Sequence, residues 1–361
     1  MIDRLKKEKE LIDSGLFDII RRRFIDKGVY IKDKYIMLIA DYIDTLNQLD
    51  KNDGLYIDPI NIVNILPDVL KGVKEDNIYV HGITQNFTIT MNKNNDYETN
   101  KLYFFHELTH AIQTRQINNH EECSFYNGHT GMFLAEGATQ FTAEILYNIS
   151  NNTNINYREQ PNSVRGLSNH SIYSPLSEYQ LNGNIIMLMS TSFGIPLNQI
   201  LALGFRRDGR EQLKKLYETF PGHEGKFEEF MMDLEKIYSI DKLQLTEHAA
   251  QIRNENPSDI ILMGSNESFL GNTKIENELI NKIERNLAAN FIANNDEKYI
   301  EKTYSKILMY LTTPELKQNF MNAVNEIISM NNEQNNSYEI NEFGEIIRPN
   351  KTIEQKSKIN F

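Results

Sequence analysis

Leu102-Tyr103-Phe104-Phe105-His106-Glu107-Leu108-Thr109-His110-Ala111-Ile112 sets three chemically active side chains inside an apolar run. The stretch predicts a helix. Residues four apart share a helical face, so His106 and His110 present their imidazoles to one point. Glu107 lies beside them, placed to act on a water held at that point rather than to hold the point itself. Two neutral nitrogen donors, an adjacent base and an open coordination position are what hydrolysis at a zinc ion requires.

A second segment completes the set. Phe133-Leu134-Ala135-Glu136-Gly137-Ala138-Thr139-Gln140-Phe141-Thr142-Ala143-Glu144-Ile145-Leu146 is again helical in pattern, with Leu134, Ala138, Phe141 and Ile145 spaced to face a core. Gly128 and Gly131 loosen the chain before it. Glu136, on the opening turn, offers a third protein ligand and leaves the fourth position to water. A purely structural zinc site would close all four positions, commonly with thiolates, and this chain has 1 Cys.

The HExxH pattern, a spacer of a few tens of residues and a helix opening Glu136-Gly137-Ala138-Thr139 together resemble the gluzincin metallopeptidases, the thermolysin-like superfamily. The Glu-Gly-Ala-Thr stretch is similar to the segment that carries the third zinc ligand in that superfamily's aminopeptidases. The resemblance covers about 100–190 of the chain and singles out no subfamily. It implies a zincin-like core with His106, His110 and Glu136 as Zn2+ ligands, Glu107 as general base, and a peptide or protein as substrate. It also directs attention to Tyr179, four residues before Gly183, as donor to the developing oxyanion, with Tyr173 and His170 in the preceding loop as alternatives. Gln140 stands where thermolysin-like enzymes carry a carboxylate behind a ligand, a departure from the pattern; Glu144 is the alternative. The Gly-x-Met-x-Asn strand element of the aminopeptidases is not recognisable before His106, which favours an endopeptidase.

Working outward, 77–83 and 87–91 cluster β-formers around Gly82 and Asn86 and predict two short strands. In the resembling family an edge strand beside the active-site helix pairs with extended substrate; a hairpin that merely covers the helix is the plainer alternative. The fold expected is α+β and mostly α-helical. A helical region over 1–75, with an amphipathic helix at 11–24, precedes a catalytic core over 76–205 with a short β-sheet, both motif helices and a third helix at 181–190. The Asn- and Ser-rich stretch 148–174 reads as a long loop. A helical domain follows over 206–330, where Ile275, Leu279, Ile283, Leu287 and Phe291 form one stripe and Leu316, Phe320, Val324 and Ile327 another. The tail 331–361 is polar and weakly ordered in composition.

Composition narrows the classes. The 361 residues carry a net charge of −12, which argues against nucleic acid as a partner. Arg21-Arg22-Arg23, the only sharp basic run, reads as a solvated helix face. No apolar run approaches a bilayer-spanning length, so no membrane partner is expected. The charged N-terminus lacks a signal-peptide core, and a cytoplasmic protein is the direct reading. Cys123 reads as an inert thiol, with a contact to the zinc as the alternative. Among the 8 His, His81, His120, His129 and His248 have no ligand-like spacing, and His223 sits in a turn-rich loop where a catalytic helper could stand. Two other functions compete with a gluzincin-type zinc peptidase: a cytosolic regulatory protease resembling those that cleave phage-type repressors, and a catalytically silent zinc-binding interaction protein. Glu107 speaks against the last, since a structural site has no use for a base.

Overall fold

Four helices lead into the first strands: α1 Arg4–Asp13, α2 Leu16–Asp26, α3 Asp33–Asp53 and α4 Pro59–Val69. The computed structural model describes residues 4–53, 57–78, 82–117, 120–151, 177–219, 222–253, 273–335, 339–340 and 346–347. The single helix expected over 11–24 is two helices. Gly15 between them adopts φ 77°, a left-handed conformation that a residue without a Cβ takes at no steric cost. Arg21, Arg22 and Arg23 stand exposed on α2.

Three strands follow: β1 Gly72–Asp76, β2 Gly82–Gln85 and β3 Thr88–Asn92. β2 and β3 form the expected hairpin, closed by Asn86 and Phe87 at φ 48° and 60°, the double left-handed turn that matches strand twist. The first strand was expected at 77–83; pairing instead begins at Gly82, and 79–81 lie outside the described residues. β1 was not anticipated. Its Lys74, Glu75 and Asp76 are exposed, so no alternation marks it, and its pairing with β3 is parallel and therefore non-local. The order β1-β3-β2 makes β3 central, with Ile89 and Met91 buried, and leaves β2 at an edge.

The first motif helix is α5 Tyr97–Gln113, capped by Asp96, whose carboxylate accepts from Thr99 N at 2.8 Å. The antiparallel pair β4 Thr114–Ile117 and β5 His120–Cys123 connects it to the second motif helix, α6 Met132–Ser150. Residues 148–150, expected in a loop, belong to α6, and 152–176 lie outside the described residues. Next come α7 Ser177–Phe193, which contains the expected helix 181–190, α8 Leu197–Gly204 and α9 Gly209–Glu218. The chain continues through α10 Phe227–Arg253, α11 Thr273–Asn294, α12 Glu297–Tyr310, α13 Pro314–Asn335 and a ribbon of β6 Glu339–Ile340 with β7 Ile346–Ile347. Most of the tail 331–361 lies outside the described residues, although α13 extends to Asn335.

The chain divides into two compact units, Met1–Gly183 with Leu197–Lys214, and Asn184–Pro196 with Lys215–Phe361. In the first, α3 packs on both motif helices. Tyr35 meets Phe104 at a centroid distance of 5.2 Å, and Tyr42 meets Phe105 edge-on at 5.4 Å. Tyr42 also places its hydroxyl 2.9 Å from Thr109 Oγ1, with both side chains buried. Among its described residues the second unit is helical apart from its ribbon. There Ile283, Leu287 and Phe291 are buried as expected, but Ile275 is 44% exposed and Ile280 is buried instead. A strict i, i+4 row drifts about 40° per step on a 3.6-residue helix, so the buried face leaves the row at its start. Leu316, Phe320, Val324 and Ile327 are all buried.

The described residues therefore form an α+β protein dominated by helices, with one small mixed sheet beside the first motif helix. Among them no single helix is long and apolar enough to cross a membrane.

Candidate metal centre

His106 and His110, one turn apart on α5, bring their Nε2 atoms to 3.0 Å. Glu136, one turn into α6, places Oε2 3.3 Å from His106 Nε2 and 3.2 Å from His110 Nε2. Tetrahedral donors about 2.0–2.1 Å from a zinc ion lie about 3.3 Å from one another, so the three atoms already stand at the spacing of one ligand face. Two imidazoles with one carboxylate suit zinc or a neighbouring transition metal better than calcium or magnesium, which take oxygen donors. These are the only three His, Cys, Asp or Glu side chains that converge in this way among the described residues. His106 keeps 4% of its side-chain surface while His110 and Glu136 keep 14% and 16%, so solvent reaches the centre from their side.

Electrostatics make the centre a trap for positive charge. Burial disfavours charge on both partners, yet the Glu136 carboxylate holds His110 well above the ordinary imidazole range. In return the charge on His110 holds Glu136 well below the ordinary carboxylate range, again against burial.

Each imidazole is braced from behind. His106 Nδ1 lies 2.8 Å from Gln140 Oε1, and because an amide oxygen only accepts, the ring nitrogen donates and Nε2 turns a lone pair to the centre. Gln140 Nε2 in turn donates to Glu144 Oε1 at 2.6 Å. The carboxylate missing at 140 is thus present one turn further along α6, joined to His106 through an amide. Behind His110, Nδ1 faces Thr139 Oγ1 at 3.5 Å and Cys123 Sγ at 3.6 Å. Thr139 gives its own proton to Gln113 Oε1 at 3.1 Å, which leaves an oxygen lone pair for the ring. Cys123 therefore contacts His110 and is not one of the converging side chains.

Glu107 is 6% exposed and stands against the edge strand. Thr84 Oγ1 on β2 lies 2.7 Å from Glu107 Oε2 and 3.0 Å from Glu107 O, so one hydroxyl ties the Glu107 carboxylate and its backbone to the sheet. Gly82 gives the carboxylate stem its room: a Cβ there would come within 2.8 Å of Glu107 Cγ.

The entry to α6 is equally constrained. Gly131 has φ 108°, and a Cβ on it would meet Phe125 O at 2.2 Å. Arg210 of α9 bonds the same Phe125 carbonyl at 2.7 Å and the Thr130 carbonyl at 3.1 Å, which holds the turn that delivers Glu136.

Tyr179 is on α7, but its side chain lies outside the described residues, as do His170 and Tyr173. His223 belongs to the second unit, where its ring meets Tyr217 at 4.6 Å and burial, with Lys226, pulls its pKa down. His129 is exposed, and the side chains of His81, His120 and His248 lie outside the described residues. Sequence reasoning passed over Thr84, Gly82 and Arg210. Only Gln140 carried a signal, its i, i+4 spacing from Glu136. Comparison with protein-family models, with curated proteins and with solved structures finds no match to this chain.

Proposed function

We propose that the protein is a zinc-dependent peptidase of zincin-like, gluzincin type, acting as an endopeptidase. The observation that carries the reading is the convergence of His106 Nε2, His110 Nε2 and Glu136 Oε2 within 3.3 Å, with the Glu107 carboxylate anchored beside them and left out of the donor set. A structural metal site needs no such base.

Zinc, when bound by His106, His110 and Glu136, supplies a Lewis acid that acidifies water and polarises the scissile carbonyl. The chain's own part is proton management and positioning. Glu107 accepts a proton from the attacking water as its oxygen bonds to the carbonyl carbon, and returns a proton to the amine nitrogen as the carbon–nitrogen bond breaks. Thr84 keeps the carboxylate aimed through that cycle. β2 has no strand partner on its outer side among the described residues, so an extended peptide can pair along it past Glu107. Tyr179 is the candidate donor to the oxyanion formed on the substrate.

The test is zinc titration followed by digestion of a mixed peptide library, read by mass spectrometry, for wild type, Glu107→Gln and Tyr179→Phe. One zinc per chain in all three is expected. Cleavage by wild type should fall by about 10³-fold or more in Glu107→Gln and by about 10²-fold in Tyr179→Phe. Zinc binding with cleavage indifferent to Glu107 would overturn the mechanism; absence of zinc binding would overturn the reading altogether.

A further inference from the structure

We propose that Glu144 is a positioning residue for this centre: acting through the side-chain amide of Gln140, it dictates which nitrogen of His106 faces the metal. The inference rests on the zinc reading of the site and adds a control element to it.

An amide side chain has a donating and an accepting end of nearly the same shape, so Gln140 alone could meet His106 either way round. The two orientations have opposite consequences. With Oε1 toward the ring, Nδ1 carries the proton and Nε2 offers its lone pair to the centre. With the NH2 end toward the ring, Nδ1 must accept, the proton moves to Nε2, and that nitrogen then points a hydrogen at His110 and Glu136 and cannot ligate. Glu144 resolves the choice. A carboxylate accepts on both oxygens, so the group 2.6 Å from its Oε1 has to be the amide NH2. Oε1 of Gln140 is thereby committed to His106 Nδ1, 2.8 Å away.

Burial gives the device its force. His106, Gln140 and Glu144 are 3%, 6% and 4% exposed, so no bulk water stands ready to satisfy a flipped amide. The negative charge behind the amide also strengthens its oxygen as an acceptor and makes the imidazole a better donor to a metal. An ordinary i, i+4 contact on a helix surface would do neither, because solvent would compete for both groups.

Two measurements on the full chain decide the matter, with far-ultraviolet circular dichroism melts to exclude variants that fail to fold. The first is zinc affinity by chelator competition for wild type, Glu144→Gln and Gln140→Leu. Glu144→Gln keeps the size of the side chain but can face Gln140 with either end; affinity should weaken about 10-fold, and in Gln140→Leu by about 10- to 100-fold. The second reads the His106 tautomer by nitrogen-15 chemical shifts in metal-free protein carrying His110→Ala, where Glu136 alone draws a proton toward Nε2. With Glu144 present the proton should reside on Nδ1; with Glu144→Gln the two tautomers should mix. A tautomer unmoved by Glu144→Gln, or a zinc affinity within twofold of wild type, overturns the assignment while leaving the zinc site standing. Failure of the wild type to bind zinc overturns the peptidase reading instead, and the tautomer alone then judges Glu144.

Discussion

Gly82 and Thr84 show how much of this site is decided by residues with no chemistry of their own. A methyl group at 82 would press within 2.8 Å of Glu107 Cγ, so Gly82→Ala must displace either the strand or the base. We expect Gly82→Ala to cost about 1–3 kcal/mol in stability and to lower kcat, with zinc affinity unchanged. Thr84→Val, which keeps the shape and removes the hydroxyl, should lower kcat about 10-fold or more at unchanged zinc affinity, while Thr84→Ser retains activity. Steady-state kinetics alongside chelator titration checks both, and unaltered turnover in Thr84→Val would remove its role. His106, Glu107, His110 and Glu136 were legible in the sequence because helical spacing alone puts the two imidazoles together and a second apolar helix brings the carboxylate. Thr84 was not, since its partner is 23 residues away and nothing in a strand pattern names which hydroxyl will touch a helix.

At the scale of elements, α5 is pinned to α3 and α6 by a buried ion pair. Lys101 Nζ lies 2.8 Å from Asp41 Oδ2 on α3 and 2.6 Å from Ser150 Oγ at the end of α6, with the two charged side chains each 5% exposed. Removing one partner strands the other in the core. Lys101→Met should therefore destabilise the first unit by about 3 kcal/mol, the lower end for such a loss because Lys7 Nζ remains 3.9 Å from Asp41. Adding Asp41→Leu should recover much of that, which urea denaturation of the two variants would show; a double variant no more stable than Lys101→Met would contradict the account. The sequence disclosed the helices through apolar periodicity but not this tie, because a lysine sixty residues from its partner looks like any solvated one. It also hid β1, whose polar residues borrow their strand conformation from parallel pairing with β3, and the break at Gly15, which a continuous apolar stripe across α1 and α2 masks.

For the molecule as a whole, a buried carboxyl in the second unit and the proposed metal centre in the first make stability respond to conditions. In the second unit Glu284 is fully buried on α11, and its Oε2 accepts from Thr312 N at 2.9 Å and from Thr312 Oγ1 at 3.1 Å. Burial outweighs these bonds and lifts its carboxyl from 4.5 to about 7. The unfolded chain then releases a proton that the folded chain still holds, so stability contributed by this group falls as pH rises from 4.5 to about 7 and levels off above. Glu284→Gln keeps an acceptor for Thr312 and removes the titration. Its stability relative to wild type should grow by up to about 3 kcal/mol between pH 5 and pH 8, and a difference that stays constant over that range would refute the assignment. In the first unit the responsive feature is the zinc binding proposed for His106, His110 and Glu136. A ligand that binds only the folded state adds roughly 2.7 kcal/mol at one hundred times its dissociation constant, so zinc at that level should raise the unit's Tm by roughly 5–10 °C. The rise should disappear with a chelator and in Glu136→Ala, because two imidazoles on one helix turn form without any tertiary structure whereas the third donor arrives only when α6 packs on α5. Calorimetry showing the same zinc-induced rise in Glu136→Ala would mean that the ion is held by the helix alone, and the convergence of the two motif helices would lose its energetic meaning.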